Sequence, residues 1–426
     1  MIAFLVLIAL VLLVMINVPI AVAIGIVSLI GMLITNSFDA IYNVALSVFD
    51  GASNFSLLAI PLFILAGALM NTGGISVRLI NFVNALIGFV RGGLAMVNVG
   101  VSMIFAEISG SSVADVAALG SILIPAMKKR GYKSSFSAAV TSSSASLAVI
   151  IPPSLPMIIY GAMADVSISK LFVAGLAAGG VASLGMFAVC YYYAVKYNLP
   201  REEHFSLSKL CTAFKNAFWA LTLPVLILGG IISGFTTATE AAGLAVLLAL
   251  IIGFFIYKEL TLNAVYKALV ESVNGTSVVM LLVATSAVLG LFLTEQKVPQ
   301  QMAAAILNIS DNKYIVLMML NVMSFIVGMF LHGAAAIILV VPIVMPLITQ
   351  LGIDPIHFGI ILTLNIAVGQ QTPPVASVLI TASSIAKKDI WSVTKDNVWF
   401  IVVLLISLMM VTYIPALTVG MVDLFY

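Results

Sequence analysis

Ala367-Val368-Gly369-Gln370-Gln371-Thr372-Pro373-Pro374 interrupts an apolar run that is otherwise long enough to cross a membrane as a helix. Two successive prolines remove two backbone donors and leave the carbonyls one turn earlier without helical partners. In lipid such carbonyls are costly unless something satisfies them. A sodium ion takes several oxygens at once and can do so. Gly369 permits unusual backbone angles at the break, and Thr372 adds a hydroxyl. A second doublet, Pro152-Pro153, lies 221 residues earlier. It follows Thr141-Ser142-Ser143-Ser144-Ala145-Ser146 and precedes Ser154. The same offset relates Pro125 to Pro346 and Gly131 to Gly352, and a slightly different one relates Gly67 to Gly290. Serine and glycine runs also let helices pack closely. Beside a proline break in both halves, ion binding is the favoured reading.

Working outward, the order in each half is a helical hairpin, a glycine-containing turn, an apolar helix, a proline break and a second half-helix. The hairpins are the stretches 93–127 and 314–350. Ser109-Gly110-Ser111-Ser112 interrupts the first and His332-Gly333-Ala334 the second. Arms of about 15 residues suit re-entrant hairpins that enter and leave on one side. Full crossings are expected near 2–18, 20–36, 55–73, 135–163, 171–195, 219–234, 240–257, 273–294, 356–385 and 396–422. Five of them separate Gly131 from Gly352, and an odd number inverts the second unit. Inverted repeats with broken helices mark secondary transporters, with the site where the breaks meet. Half-helix N-termini at the tips would hold an anionic substrate.

Composition agrees. The 426 residues are 62% hydrophobic and 8% charged, against about 25% charged in a soluble domain. Net charge is +2, which argues against a nucleic-acid footprint. Placing both termini outside puts only Lys170, Lys297 and Lys313 on that face, with the rest of the 18 basic residues inside. That is the bias of the positive-inside rule. The apolar stretch from Met1 to Val18 has no basic leader and reads as a membrane helix rather than a cleaved signal. Segments 75–88, 206–218 and 261–272 are amphipathic and suit interfacial arm helices.

The chain reads as an all-α polytopic membrane protein of five parts: 1–92 and 171–310 as scaffold and arms, 93–170 and 311–390 as the two hairpin-plus-broken-helix units, and 391–426 as a C-terminal scaffold helix. Glu107 and Asp115 flank the first tip at membrane depth, where acids are functional candidates. His332 at the second tip is placed to donate to a carboxylate. Glu240 fits a helix start, a structural role. Cys190 and Cys211 offer no disulfide framework, and His204, His332 and His357 do not cluster. No nucleotide-binding loop or catalytic constellation is visible, so the chain is not expected to be an enzyme.

These residues resemble the large membrane subunit of TRAP (tripartite ATP-independent periplasmic) transporters, the dicarboxylate-type M subunit. The similarity runs through essentially the whole chain. Its specific pieces are Ser109 through Asp115, Pro125 through Gly131, Ile151-Pro152-Pro153-Ser154, Thr239-Glu240-Ala241-Ala242 and Thr372-Pro373-Pro374. The resemblance implies an elevator-type architecture of the ion transporter superfamily and uptake coupled to two or more sodium ions. It implies a small four-helix membrane (Q) subunit, a periplasmic substrate-binding (P) protein and residence in the bacterial inner membrane. One sodium site would involve Glu107, Ser109, Ala148, Ile151 and Pro153, and a second Gly328, Gly369, Thr372 and Val375. Substrate would meet Ser109, Gly110, Ser111, Ser112, Asp115, His332, Gly333 and Ser154. Many relatives carry an acid near His332 and a glycine near Ala148, which this chain lacks. The tips look more like the sialic-acid branch, so N-acetylneuraminate leads over C4-dicarboxylates and related acids. A stand-alone ion-coupled carboxylate carrier, and a passive channel or scaffold, stay open as alternatives.

Overall fold

The computed structural model describes residues 2–16, 18–36, 40–201 and 205–426, apart from a few side chains within helices, those of Glu107, Ile108 and Ser109 among them. His204 and the side-chain roles expected of Glu107 and Ser109 fall outside the described residues.

Among the described residues every regular element is helical. In chain order they are α1 (Ile2–Met15), α2 (Ile20–Asn36), α3 (Ala40–Ala52), α4 (Ala59–Thr72), α5 (Ile75–Ile87), α6 (Gly93–Ser109), α7 (Ser112–Lys129), α8 (Ser134–Ala145), α9 (Leu155–Met163) and α10 (Ile168–Lys196). Then follow α11 (Leu207–Ile232), α12 (Ala238–Ile251), α13 (Leu262–Glu295), α14 (Val298–Leu307), α15 (Lys313–Phe330), α16 (Gly333–Gln350), α17 (Pro355–Gly369), α18 (Ser377–Ala386), α19 (Ile390–Tyr413) and α20 (Val419–Phe425). Eight helices among the described residues are long and apolar enough to cross a membrane. The protein is a multi-pass membrane protein.

Both apolar helices that carry a proline doublet are broken there. The first runs through α8 and one 3-10 turn, stops at residues 150–154 and resumes as α9; the second stops after α17 and resumes as α18. The doublets are cis in both places. Helices α7 and α16 start at Ser112 and Gly333, and α8 and α17 at Ser134 and Pro355, each pair 221 residues apart. The turns between them use left-handed glycines, Gly131 at φ 84° and Gly352 at φ 62°. Further on, Asp165 (φ 53°) and Lys387 (φ 51°) are left-handed at matching places.

Several expected boundaries change. Segments 206–218 and 219–234 form one helix, α11, and 261–272 continues into α13 without a break. No proline or glycine separates the amphipathic part from the apolar part at either junction, so the backbone ladder runs on. At 34 residues α13 is about 50 Å long, well beyond a hydrocarbon core of about 30 Å. Only 75–88 is a separate arm, cut off at Gly74, which is left-handed (φ 74°). Helix α3 was not anticipated; its 13 residues, about 20 Å, are too short to cross, and it packs on α2 and α13. The C-terminal helix begins at Ile390, where Asp389 caps it by accepting from the amides of Trp391 and Ser392, and ends at Tyr413, before Pro415. The hairpin arms are 17 and 18 residues in the first and 18 each in the second, longer than expected.

Packing divides the helices into two groups. One holds α6–α10 and α15–α19; the other holds α1–α5 and α11–α13, and α14 packs on α16 of the first and α13 of the second. Helices α10 and α19, placed with the scaffold in the sequence reading, pack on each other and on α8, α9, α17 and α18. Both carry small or polar residues on that side. Gly175 and Gly179 of α10 admit Met157 and Ile151 at distances a Cβ would close. Asp396 and Asn397 of α19 reach Lys133 and Ser143.

Candidate functional site

At the first tip, Gly110 is left-handed (φ 57°), and a Cβ there would lie 3.0 Å from Leu155 and 3.3 Å from the Pro153 carbonyl oxygen. The tip of the first hairpin therefore rests on the first proline break. At the second tip, a Cβ on Gly333 would lie 3.0 Å from Gln370 Nε2 and 3.4 Å from Pro156. The second tip thus touches residues of both breaks.

These contacts enclose a cavity of about 270 Å³. Its wall includes Ser111 and Ser112 at the first tip, His332 and Gly333 at the second, and Leu155 and Gln370 at the two breaks. The first turns of α7, α9 and α16 all reach it, and none of the three is closed by a side chain of its own N-cap residue. Helix starts present unsatisfied amides and the positive end of the dipole, so three of them converging give this wall a positive character. The opposite wall comes from α4, with Gly67 and Asn71, and α13, with Glu271 and Gly275.

The second break brings Gly328, Gly369 and Thr372 together. A Cβ on Gly369 would overlap the Gly328 carbonyl carbon and lie 2.7 Å from its Cα. Gly369 lies at the end of α17 and its φ is not left-handed, contrary to the expectation of unusual angles. Its need for no side chain comes from the backbone of α15. Thr372 Oγ1 donates to the Val368 carbonyl at 2.9 Å, and the Thr372 amide donates to Gly369 at 2.9 Å. The hydroxyl proton is thereby held away, and the Thr372 oxygen keeps acceptor lone pairs. Val375 has no side-chain oxygen, so only its backbone carbonyl could serve an ion.

At the first break, Ala148 and Ile151 are buried, and Ile151 packs against Gly179. Leu147 accepts from the amides of both Ile150 (2.9 Å) and Ile151 (2.7 Å). Pro152 and Pro153 have no N–H for Ala148 and Val149. Ser154 Oγ fills one of these gaps, donating to the Val149 carbonyl at 2.7 Å. Ser154, expected to meet substrate, is fully buried and serves its own break, off the cavity wall. Asp115 is also fully buried, in the first turn of α7, where the dipole favours a carboxylate, and it too lies off the wall. Glu240 closes a capping box with Thr237, as its place at a helix start suggested.

The serine run has a role the sequence reading did not give it. Ser142 Oγ donates to Gln371 Oε1 at 2.5 Å, and Gln371 Nε2 donates back to the Ser142 carbonyl at 2.8 Å. Asn397 Nδ2 donates to the same Gln371 oxygen at 3.2 Å, and Ser143 Oγ donates to Asn397 Oδ1 at 2.5 Å. On the other side Ser102 Oγ donates to Ser144 Oγ at 2.8 Å, and Asn98 Nδ2 to Thr141 Oγ1 at 2.6 Å. These hydroxyls tie α8 to α6, to the second break and to α19. Gln370, Gln371, Asn397, Asn71 and Glu271 are the site residues that sequence reasoning missed. The two glutamines stood inside the quoted motif; the other three carry no local signal.

A model of the tripartite ATP-independent periplasmic transporter DctM component matches residues 7–417. The chain belongs to that family. It is 39% identical over 403 residues to the isethionate TRAP transporter permease protein DctMQ of Oleidesulfovibrio alaskensis, covering 94% of this chain and 63% of that one. It is 37% identical over 383 residues to the C4-dicarboxylate TRAP transporter large permease protein DctM of Pseudomonas aeruginosa, covering 90% of each. It is 38% identical over 362 residues to the sialic acid TRAP transporter permease protein SiaT of Haemophilus influenzae, covering 85% of this chain and 59% of that one. Among solved structures, the YdaH transporter of Alcanivorax borkumensis superposes with a TM-score of 0.64 at 14% identity, covering 88% of this chain and 89% of that one, a likeness of fold. This DctM-family chain is thus a transporter large permease, in a family whose named members carry different acids.

Proposed function

We propose that this permease imports an organic acid across the bacterial inner membrane, driven by sodium and moved by an elevator mechanism. The observation that carries the reading is the single cavity where both hairpin tips, both proline breaks and three open helix starts converge. An acid's carboxylate binds the helix starts. Sodium ions occupy the carbonyl-rich breaks beneath them, one near Ala148, Ile151 and Pro153 with the Glu107–Ser109 end of α6, the other near Gly328, Gly369, Thr372 and Val375. Anion and cations stabilise each other across the tips, and that mutual dependence is the coupling. The two units are inverted repeats, and their hairpins are re-entrant. The group α6–α10 with α15–α19 moves as the carrier against α1–α5 and α11–α13. Asn71 and Glu271 lie toward the cytoplasmic ends of α4 and α13 when both termini are periplasmic, so this cavity faces inward.

A small four-helix membrane subunit and a periplasmic binding protein complete the system, and the binding protein delivers the acid. N-acetylneuraminate leads, supported by the similarity to SiaT. The test is uptake into proteoliposomes containing the permease, with and without these partners, under an inward sodium gradient. Accumulation should require sodium and both partners. Uptake by the permease alone would defeat the tripartite reading, and uptake indifferent to sodium would defeat the coupling.

A further inference from the structure

The two walls of the cavity differ in charge chemistry. The tip side is built of helix starts with the side chains of Ser111, Ser112, His332 and Gln370, none of them a carboxylate. On the facing side Glu271 is the one carboxylate among the described lining residues, exposed on α13. Asn71 lines the same side, its Oδ1 held by a 2.7 Å hydrogen bond from Ser76 Oγ.

We infer that Glu271 selects against a second negative charge on the substrate. The ligand is then an acid with one carboxylate at the helix starts and an uncharged or donor-bearing far end of hydroxyl, amide or ammonium. An ionised carboxylate accepts hydrogen bonds and cannot donate them, so Glu271 rewards a donor. A second carboxylate on a ligand in this cavity meets the like charge of Glu271, whereas a neutral or donor-bearing end does not. The inference rests on the cavity being the substrate site, as proposed above. It separates this permease from one suited to dicarboxylates.

Succinate and succinamate make the probe pair, since they differ only in one carboxylate replaced by an amide. Thermal unfolding of the purified full-length chain in sodium would be titrated with each, and with N-acetylneuraminate. In the wild-type chain succinamate should half-saturate the shift at about tenfold lower concentration than succinate. Glu271→Gln should bring the two within about twofold, and Glu271→Asp should keep the preference. Glu271 is exposed, so both variants should unfold without ligand as the wild type does. Equal wild-type affinities, or a ratio unchanged in Glu271→Gln, would overturn the inference while leaving the anion site standing. No shift by succinate, succinamate or N-acetylneuraminate in any form would overturn the anion site itself and this inference with it.

Discussion

Gly369 and Gly328 show how a single absent methyl group can matter at this site. The chains of α15 and α17 touch through bare backbone, so that any Cβ on Gly369 lies inside Gly328. Gly369→Ala must push the second tip's supporting helix away from the break. It should cost about 1–3 kcal/mol of stability and abolish sodium-dependent transport, measured by thermal unfolding and uptake side by side. Gly110 is constrained twice, by its left-handed φ and by the Pro153 carbonyl beneath it. Gly110→Ala should weaken transport more than Ser112→Ala, because only the first disturbs the tip's seat on the break. Ser111→Ala should lower uptake while membrane insertion stays normal; wild-type uptake would remove Ser111 from the substrate wall.

The elements act as pairs joined by buried hydrogen bonds. Gln371 ties the second break to α8 of the first unit and to α19, and it is fully buried. Gln371→Leu leaves the Ser142 carbonyl and the Asn397 amide without that partner, at about 1–3 kcal/mol for each group. Its unfolding temperature should fall, and the doubly altered Gln371→Leu, Asn397→Leu chain should lose less than the sum of the two single losses. Strict additivity would show that the two residues act independently. Much of this level was legible in the sequence. The proline doublets, the Ser-Gly tip, the His-Gly tip and the glycine turns all announce themselves, because backbone geometry there demands particular residue types. The partners of Gln371 were not legible, since a buried amide and a serine hydroxyl meet through tertiary packing 229 residues apart. The continuous α11 and α13 were misdivided for a related reason. A change from amphipathic to apolar patterning marks a change of surroundings, and the backbone need not break there. Glu271 was passed over because it sits in a segment read as an interfacial arm, and only the fold shows that segment facing the tips.

At the scale of the molecule, sidedness and grouping of helices decide whether an elevator is mechanically sensible. Of the two cysteines, Cys190 is buried and Cys211 exposed near the start of α11. A membrane-impermeant maleimide should therefore label Cys211 in inside-out vesicles and spare it in intact cells. Cysteines introduced at Lys129 and Lys297 should label from opposite faces; labelling from the same face would overturn the topology. Packing of α10 and α19 with the broken helices assigns them to the proposed moving body, with α4 and α13 as the wall it would slide along. All of this depends on a cation held by the carbonyls of the proline breaks. Equilibrium binding of radioactive sodium to the purified chain measures that directly. Saturable binding that potassium does not displace, and that weakens in both Thr372→Ala and Gly369→Ala, is the expected result. Absence of saturable sodium binding, or binding equal to wild type in both variants, would contradict the account.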